Sequence, residues 1–400
     1  MSQVQNLKSE IQKAPIGNPC TARKGRCRKS RIVIDGRYIH DHFPGIGRYT
    51  YNLIDALARV APDERFVLFH NPALCNTRYD IAGLKRYANV ELYQADVPTF
   101  SLAEQFRLPF AMRDSRCAIL HSPYYIKPYF TPVPSIVTIF DLIPLRVPKD
   151  SLTWRVRLFF QLAVSLAART AARIIVPSVA TRDDLVALFG VRREKIDVIP
   201  LAADAQFVPQ DQTQVARVRD KYGLADEYVL SVGINKPHKN MVALIDAWQS
   251  LGETQRTLVI AGAWDARYAS VVSRQSSVVR FIPNVDDRDL PALYSGAAVF
   301  VMPSLYEGFG LPPLEAMACG APVVCSNAAS LPEVVGEAAV LVSPRDVGAI
   351  GGAIARVLSD AGWRDELRAK SRARAAQFSW ERTARQTLGV YQEVVCGRHV

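Results

Sequence analysis

The sequence lacks the patterns that mark several classes of protein. Its seven cysteines are an odd number with no Cys-x-x-Cys spacing, which argues against a disulfide framework and a zinc site. We therefore expect reduced and mostly buried thiols. No apolar run reaches the roughly 18 residues that a membrane-spanning helix needs, and the amino terminus lacks the apolar centre of a secretory signal. These absences predict a cytoplasmic protein.

Acidic residues are almost missing from the start of the chain. Residues 1 to 31 hold eight Lys or Arg and only Glu10, so this segment supplies most of the formal charge of +11. We interpret residues 1–30 as a basic tail with three alternatives: a solvated arm, a contact with the anionic inner face of the cytoplasmic membrane, or nucleic-acid binding. No signature of a nucleic-acid module accompanies the charge, so we expect no nucleic-acid partner.

Short β-branched runs alternate with amphipathic stretches along the rest of the chain. This pattern runs from "RIVIDG" to "IDVIPL" and restarts at "YVLSVG". Nearly continuous apolar strands between helices indicate parallel sheets covered on both faces. The fold class is therefore α/β, with two doubly wound, Rossmann-like domains facing each other across a cleft. We place them at 31–201 and 228–377, with a hinge region at 202–227 and a C-terminal helix at 378–400 that braces both domains.

The stretch "SLYEGFGLPPLEAMACGAPVV" (304–324) sets two carboxylates around a glycine turn. Gly308 and Gly310 allow backbone N–H groups to approach a ligand, and the start of the following helix carries a partial positive charge. The pattern predicts a phosphate site, with Glu307 and Glu315 accepting hydrogen bonds from hydroxyls on either side. The alternative is a structural helix start whose acidic residues complement the helix dipole.

This stretch resembles the glutamate–seven–glutamate motif of retaining glycosyltransferases of family 4, which have the GT-B fold. The resemblance covers roughly residues 31–395. It is carried by further segments: "DGRYIHDHFPGIGRYTYNLIDAL" (35–57), "ILHSPYY" (119–125), "VTIFDLIPL" (137–145), "VGINKPHKN" (232–240) and "VRFIPNVDDRDLPALYSGAAVFVMPS" (279–304). It implies that the first domain binds the acceptor and the second binds the nucleotide sugar.

The resemblance also implies roles for individual residues. Lys239 is expected to bind the donor diphosphate, Glu307 the transferred sugar and Glu315 the ribose. His121 is expected to contact the donor sugar, so the implied catalytic set is His121, Lys239 and Glu307. Taken alone, His121 would more often be a core or surface residue, and Lys239 a solvated loop charge. The other implied donor-binding positions are Gly45, Gly47, Phe281, Ile282, Val285, Gly308, Phe309, Gly310 and Leu311.

Two positions depart from the family pattern. Ile234 stands where relatives often have an arginine, so two alternatives stay open: His238, Asn235 or Lys236 compensates for the missing side chain, or the cationic clamp on the diphosphate is weaker. Phe140 precedes Asp141 where many relatives have His-Asp. Asp141 is therefore placed only on the acceptor side.

The implied reaction is the transfer of a hexose from a nucleotide sugar to a hydroxyl, with retention at the anomeric carbon. No convincing carboxylate nucleophile is present, so the sequence is consistent with front-face attack. We expect neither cofactor nor metal, because no Asp-x-Asp pair is evident at a strand end. GDP-mannose is favoured over UDP-glucose and UDP-N-acetylglucosamine as donor. The expected acceptor is a saccharide or a lipid-linked saccharide of polysaccharide or lipopolysaccharide biosynthesis.

Other interpretations stay open at this stage. A GT-B sugar-nucleotide epimerase or a non-catalytic nucleotide-binding module would use the same donor cleft. The predicted helix 151–172 carries Trp154, Arg155, Arg157, Phe159 and Phe160. It could contact a membrane peripherally through these residues, or pack within the first domain.

Overall fold

The computed structural model describes residues 31–147, 153–274 and 276–397, and the predicted basic tail lies outside them. Two parallel sheets form two doubly wound domains, which confirms the predicted fold class. The first sheet has seven strands in the order β3-β2-β1-β4-β5-β6-β7, and the second has six in the order β10-β9-β8-β11-β12-β13.

The strands of the first sheet are β1 (Arg31–Asp35), β2 (Arg65–His70), β3 (Val90–Gln94), β4 (Ile119–Ser122), β5 (Ser135–Thr138), β6 (Arg173–Val176) and β7 (Ile196–Val198). Those of the second are β8 (Tyr228–Val232), β9 (Thr257–Ala261), β10 (Val279–Ile282), β11 (Val299–Met302), β12 (Val323–Ser326) and β13 (Val340–Val342). All residues of β4, β5, β11 and β12 are buried, as expected for strands covered on both faces.

The α-helices connect these strands. Those up to the end of the first sheet are α1 (Pro44–Val60), α2 (Ala103–Asp114), α3 (Ile143–Arg146), α4 (Trp154–Thr170) and α5 (Val179–Phe189). The later ones are α6 (Gln212–Tyr222), α7 (Met241–Ser250), α8 (Leu290–Gly296), α9 (Leu311–Ala318), α10 (Leu331–Val335), α11 (Val347–Ser359), α12 (Ala361–Ala375) and α13 (Trp380–Val395). Within the described ranges, no helix is both long and apolar enough to cross a bilayer.

Alternate residues of each strand supply the cores on the two faces of a sheet. In β1, Ile32 and Ile34 join the cluster that contains Leu53 of α1, whereas Val33 joins the cluster that contains Leu108 of α2. The first sheet is therefore packed between α1 on one face and α2 on the other.

The C-terminal helix of the chain packs against the first domain. Helix α13 packs against α1, and its Thr383 hydroxyl donates to the carbonyl of Pro200 at 2.7 Å. Buried Trp380 and Tyr391 join the cluster that contains α1 and β1 residues. The last helix therefore completes a core whose strands lie near the start of the chain.

The segment predicted as a hinge contains helix α6. Asp211 caps this helix by accepting from the Gln214 N–H at 2.8 Å, and Gly223 ends it in the left-handed conformation. Its buried residues Val215 and Val218 face inwards, and α6 packs against α8. Much of the segment is thus built into the second domain.

Candidate active site

The glycine turn between β11 and α9 lies against the first domain. The Ser178 hydroxyl, just before α5, donates to the carbonyl of Gly308 at 2.7 Å. A Cβ at Gly308 would lie 2.1 Å from the carbonyl oxygen of Phe140 and 2.7 Å from Cβ of Asp141. Only glycine fits this contact, which brings the turn face to face with the loop after β5.

Lys239 and Glu307 meet beside this turn. Lys239 ends a short 3-10 turn after β8, and its Nζ lies 2.8 Å from Oε1 of Glu307. Burial alone would raise the pKa of Glu307, but the charges of Lys239 and His238 outweigh it and bring the pKa below its usual value. The structure therefore brings together the residue predicted for the donor diphosphate, Lys239, and the one predicted for the transferred sugar, Glu307, and their binding roles stay predictions.

The glycine turn, rather than the start of α9, supplies backbone donors for an anion. Gly310 has a φ of +106°, and α9 begins at Leu311 and continues with Pro312 and Pro313, which have no N–H. Because the Leu314 N–H bonds to the Gly310 carbonyl at 3.4 Å, the donors that an anion could use are those of residues 308–311. The Ser330 hydroxyl bonds to the carbonyls of Glu307 and Phe309, at 2.8 Å each. The buried side chain of Phe309 packs with Leu314 in the core. A nucleotide-sugar donor could therefore contact only the backbone of Phe309.

Glu315 is more enclosed than the sequence suggested. Its carboxylate is paired with Arg48 of α1 through Oε1 and accepts from the Tyr294 hydroxyl at 3.0 Å through Oε2. Burial raises the pKa of Glu315, and Arg48 and Tyr294 offset part of that rise. A ribose at Glu315 would have to share or replace one of these two partners.

Arg48 lies at this candidate site, although it was not predicted from the sequence. Besides Glu315, its guanidinium lies 3.3 Å from Asp204, in the segment between the domains, and 3.8 Å from Asp287 of the second domain. It also lies 5.7 Å from the ring centre of Phe207. The only local signal was an arginine directly after the second glycine of "GIGR".

A pocket of about 410 Å³ opens at the carboxyl ends of β8, β9 and β10. Two of the predicted base-binding residues, Phe281 and Ile282, line it, and Trp264 faces Phe281 with ring centres 5.8 Å apart. Val285 packs instead against the core cluster of the second domain. Trp264 was missed because no motif marks its loop. The full lining is Gly233, Asn235, Met241, Ile260, Gly262, Ala263, Trp264, Phe281, Ile282 and Pro283.

Two glycines let the loops around this pocket approach each other. Gly262 has a φ of +145°, and a Cβ there would lie 2.4 Å from the carbonyl oxygen of Gly233. The N–H of Gly233 in turn donates to the carbonyl of Ala261 at 2.9 Å. The pocket wall and the Lys239 loop are therefore one rigid unit.

His121 lies in the core of the first domain. Its Nδ1 lies 2.6 Å from the Tyr391 hydroxyl and its Nε2 2.8 Å from the Thr138 hydroxyl. Burial lowers the pKa of His121 to about 3, so the ring is neutral. The structure does not bring it to Lys239 and Glu307, and this arrangement suits the core-histidine alternative. Its contact with a donor sugar stays a prediction.

Asp141 faces the donor side. Its Oδ1 accepts from the Ile143 N–H at 3.0 Å, and burial raises its pKa. Glu307 raises that pKa further, whereas His238 and Lys236 oppose the rise. The first-domain carboxylate therefore shares one electrostatic environment with the second-domain site.

His238 and Lys236 are the better candidates to replace the charge missing at Ile234. Asn235 is committed to the neighbouring loop, because its amide accepts from the Asp265 N–H at 2.7 Å and donates to two carbonyls there. His238 and Lys236 both lie close enough to Asp141 to lower the pKa of its carboxyl group. Asn235 therefore supports the loop rather than the diphosphate.

The two predicted glycines of the first domain occupy the first turn of α1. A Cβ at Gly47 would lie 3.2 Å from the carbonyl oxygen of Tyr38, whereas one at Gly45 would meet nothing within 4 Å. Close packing against Tyr38 thus explains the glycine at position 47. Gly45 leaves open space beside a helix start that has no side-chain cap.

An Asp-x-Asp pattern that the sequence analysis passed over lies in the loop after β10. Asp287 pairs with Arg78 at 2.9 Å. Asp289 pairs instead with Arg217 and Lys221 at 2.9 and 2.5 Å, so the two carboxylates serve different cations. In the described part of the chain, no group of three or more His, Cys, Asp or Glu side chains is arranged to hold a metal ion.

Comparisons with known proteins agree with this architecture. The family described as "Glycosyltransferase Family 4" matches residues 44–207, and "Glycosyl transferases group 1" matches residues 215–378. O-antigen chain mannosyltransferase B of Escherichia coli is 33% identical over 380 residues, covering 90% of this chain and 99% of that protein.

Solved structures share the fold. Sucrose-phosphate synthase from Thermosynechococcus elongatus has a TM-score of 0.73 at 22% identity, covering 92% of this chain and all of that one. Anabaena HepE in complex with UDP-glucose has a TM-score of 0.69 at 19% identity, covering 91% and 99%. The chain is therefore a glycosyltransferase that belongs to family 4 and has the GT-B fold.

Proposed function

We propose that the protein transfers mannose from GDP-mannose, with retention and without a metal ion, to a saccharide or lipid-linked saccharide hydroxyl in polysaccharide assembly. The observation that carries the proposal is the Lys239–Glu307 ion pair beside the glycine turn. Its position at the carboxyl ends of the second-domain strands is where doubly wound sheets bind ligands.

The chemical problem of the reaction is the charge of the departing diphosphate. Lys239 and the backbone N–H groups of the glycine turn supply positive charge that is already in place, so little reorganisation is needed as the bond breaks. The pocket lined by Trp264 and Phe281 lies on the same loop unit and suits the flat guanine base. Diphosphate and base would thus be held by adjacent loops of one domain.

The transferred sugar would lie between the two domains. Glu307 is ionised and lies on the side of the turn that faces Asp141, so it can accept hydrogen bonds from sugar hydroxyls. These contacts strengthen as the ring develops oxocarbenium character. We assign the proton of the attacking hydroxyl to the donor phosphate, in a front-face reaction, with Asp141 orienting the acceptor.

The choice of mannose rests on the relative with nearly full-length coverage, which is named as a mannosyltransferase. A donor panel tests it: purified protein is incubated with GDP-mannose, UDP-glucose and UDP-N-acetylglucosamine, and nucleoside diphosphate release is measured with and without saccharide acceptors. We expect release from GDP-mannose to exceed the others at least about tenfold, the discrimination that one or two polar sugar contacts supply. Preferred release from a UDP-sugar would overturn the donor assignment.

The same incubations test the reaction type. The anomeric configuration of the product, read by NMR, should match that of the donor sugar. Inversion would contradict the retaining mechanism. Interconversion of the nucleotide sugar without acceptor would instead indicate an epimerase.

A further inference from the structure

Large apolar side chains are exposed mainly on one part of the first domain. Helix α2 exposes Phe106 and Phe110, one turn apart, at 70% and 67%. Phe130, on the loop after β4, is 85% exposed. Helix α4 adds a stripe of exposed residues: Trp154, Leu158, Phe159, Leu162 and Leu166. Aromatic and aliphatic groups in such number on a surface mark an interaction site rather than chance exposure.

These helices cover the same face of the first sheet. Val33 of β1 packs in the cluster under α2, and Val137 of β5 packs in the cluster under α4. Ile32 and Ile136, the strand neighbours of these two residues, face the opposite side. Helices α2 and α4 therefore lie beside each other, over adjacent parts of the sheet.

The loop after β4 ties the two helices together. The Gln105 amide of α2 donates to the carbonyl of Lys127 at 2.9 Å, and the Nζ of Lys127 donates to the Thr170 hydroxyl of α4 at 3.1 Å. Phe130 thus stands on the loop that joins the helices. We call the exposed residues of α2, α4 and this loop the α2–α4 surface.

The charges on this surface have one dominant sign. Helix α4 contains Arg155, Arg157 and Arg169 and no acidic residue. Helix α2 exposes Arg107 and Arg113, against one exposed carboxylate at its end. An apolar stripe flanked by arginines complements lipid acyl chains below anionic headgroups.

We propose that the α2–α4 surface docks the enzyme on an anionic lipid bilayer. A second copy of the chain is the less favoured occupant, because a two-fold interface would set this cationic surface against itself. The bilayer satisfies both features of the surface, since it accepts the aromatic side chains and attracts the arginines.

Docking would also orient the catalytic cleft. The start of α2 lies at the carboxyl end of β1, where Glu104 accepts from Arg37 at 3.1 Å. The short helix α3, which begins two residues after Asp141, packs against α4. Helices α2 and α4 follow the parallel strands β3 and β5, so both begin at the carboxyl edge of the sheet, where the cleft lies. A lipid-linked hydroxyl would then reach the acceptor side from the membrane. This orientation rests on the proposed function, whereas the docking does not.

The test is cosedimentation of the full chain with phosphatidylcholine vesicles, with and without phosphatidylglycerol. We expect binding to the anionic vesicles, weakened about tenfold or more by Phe106→Ser/Phe110→Ser because two exposed aromatic groups that would enter the bilayer are lost. Arg155→Gln/Arg169→Gln should weaken it about fivefold for each charge. The exposed pair Val208→Ser/Leu341→Ser, outside the surface, is the matched control and should bind as wild type does.

Every variant keeps residues 1–30, so their contribution cancels in the comparison. The substituted side chains are exposed, and thermal melting should confirm an unchanged fold. Vesicle binding by Phe106→Ser/Phe110→Ser equal to that of wild type would overturn the proposal. A second outcome would also overturn it: sedimentation velocity shows that the wild-type protein self-associates, and Phe106→Ser/Phe110→Ser abolishes that association without changing vesicle binding. Cosedimentation does not require catalysis, so a negative result in this experiment can be told apart from a negative result in the donor panel.

Discussion

Lys239 and Glu307 depend on each other at the scale of single residues. The ammonium keeps the pKa of Glu307 below its usual value despite burial, and the carboxylate holds the Nζ in place at 2.8 Å. Replacement of either residue therefore changes both the charge and the geometry of its partner. This coupling sets how variants of the pair should be interpreted.

Lys239→Ala should lose about 2 to 4 kcal/mol of transition-state stabilisation, or about 30- to 1000-fold in kcat/KM, because the leaving diphosphate loses its fixed cation. The measurement is steady-state transfer from the preferred donor. Lys370→Ala, which breaks an exposed pair with Glu366, is the control and should keep full activity. A Lys239→Ala enzyme with near-normal kcat/KM would contradict the assignment.

The two glutamates of the motif should respond differently to replacement. Glu307→Gln should lower kcat more than it raises the donor KM, because contacts to the reacting sugar strengthen in the transition state. Glu315→Gln should mainly raise the donor KM and also lower the free energy of unfolding by about 1.5 to 3 kcal/mol, since it weakens the charged hydrogen bond to Arg48 while Asp204 and Asp287 stay beside that guanidinium.

Steady-state kinetics and urea unfolding of both variants separate these outcomes. Loss of turnover in Glu315→Gln alone, at unchanged stability, would reverse the roles.

Chelation tests the metal independence that we propose. Asp287 and Asp289 are each paired with basic side chains, and we expect transfer to stay essentially unchanged in EDTA. Activity that disappears with EDTA and returns with Mg²⁺ or Mn²⁺ would refute this expectation.

At the scale of elements, helix α5 joins the domains through its first turn. Glu333 of α10 accepts from the N–H groups of Val179 and Ala180, at 2.8 Å each. A carboxylate from the second domain thus caps a helix of the first, where the helix dipole favours negative charge. The Ser178–Gly308 bond lies beside it, so this contact also fixes the glycine turn.

Glu333→Ala should weaken closure of the cleft by about 2 to 3 kcal/mol, because two partly buried N–H groups lose a charged acceptor. We expect a larger radius of gyration by small-angle X-ray scattering and a lower kcat/KM. Glu366→Ala, at an exposed helical ion pair, serves as the control. Unchanged scattering and activity in Glu333→Ala would show that the contact does not hold the domains together.

Elements and loops with local signals could be predicted from the sequence. The alternation of apolar strands and helices gave both sheets, and the glycine turn with Glu307 and Lys239 was found because each belongs to a short contiguous motif. Phe281 and Ile282 were predicted for the same reason. Trp264, in a loop without such a motif, was not.

Contacts between distant parts of the chain had no comparable signal. Arg48 and Glu315 are 267 positions apart, and neither segment shows that the other will approach it. His121 lies at a strand end, where strand periodicity does not tell whether a polar side chain meets a ligand or another helix. Its partner Tyr391 is 270 positions away, so only the tertiary structure separates the two interpretations.

At the scale of the whole molecule, the two domains are not independent segments of chain. The first sheet ends at Val198, yet Trp380 and Tyr391 belong to its core. Residues 228–342 build the complete second sheet between these two parts. The first domain is therefore discontinuous, and the second is inserted before its last helix.

This arrangement has a consequence for synthesis on the ribosome. Domains usually fold as they emerge, the N-terminal one first, but this first domain cannot complete its core until α13 has been made. At about 5 to 20 residues per second, the 181 residues between Val198 of β7 and Trp380 of α13 delay its completion by roughly 10 to 40 s. During that interval the apolar face of α1 lacks its partner helix, so the nascent chain should be a client for chaperones that bind exposed apolar segments.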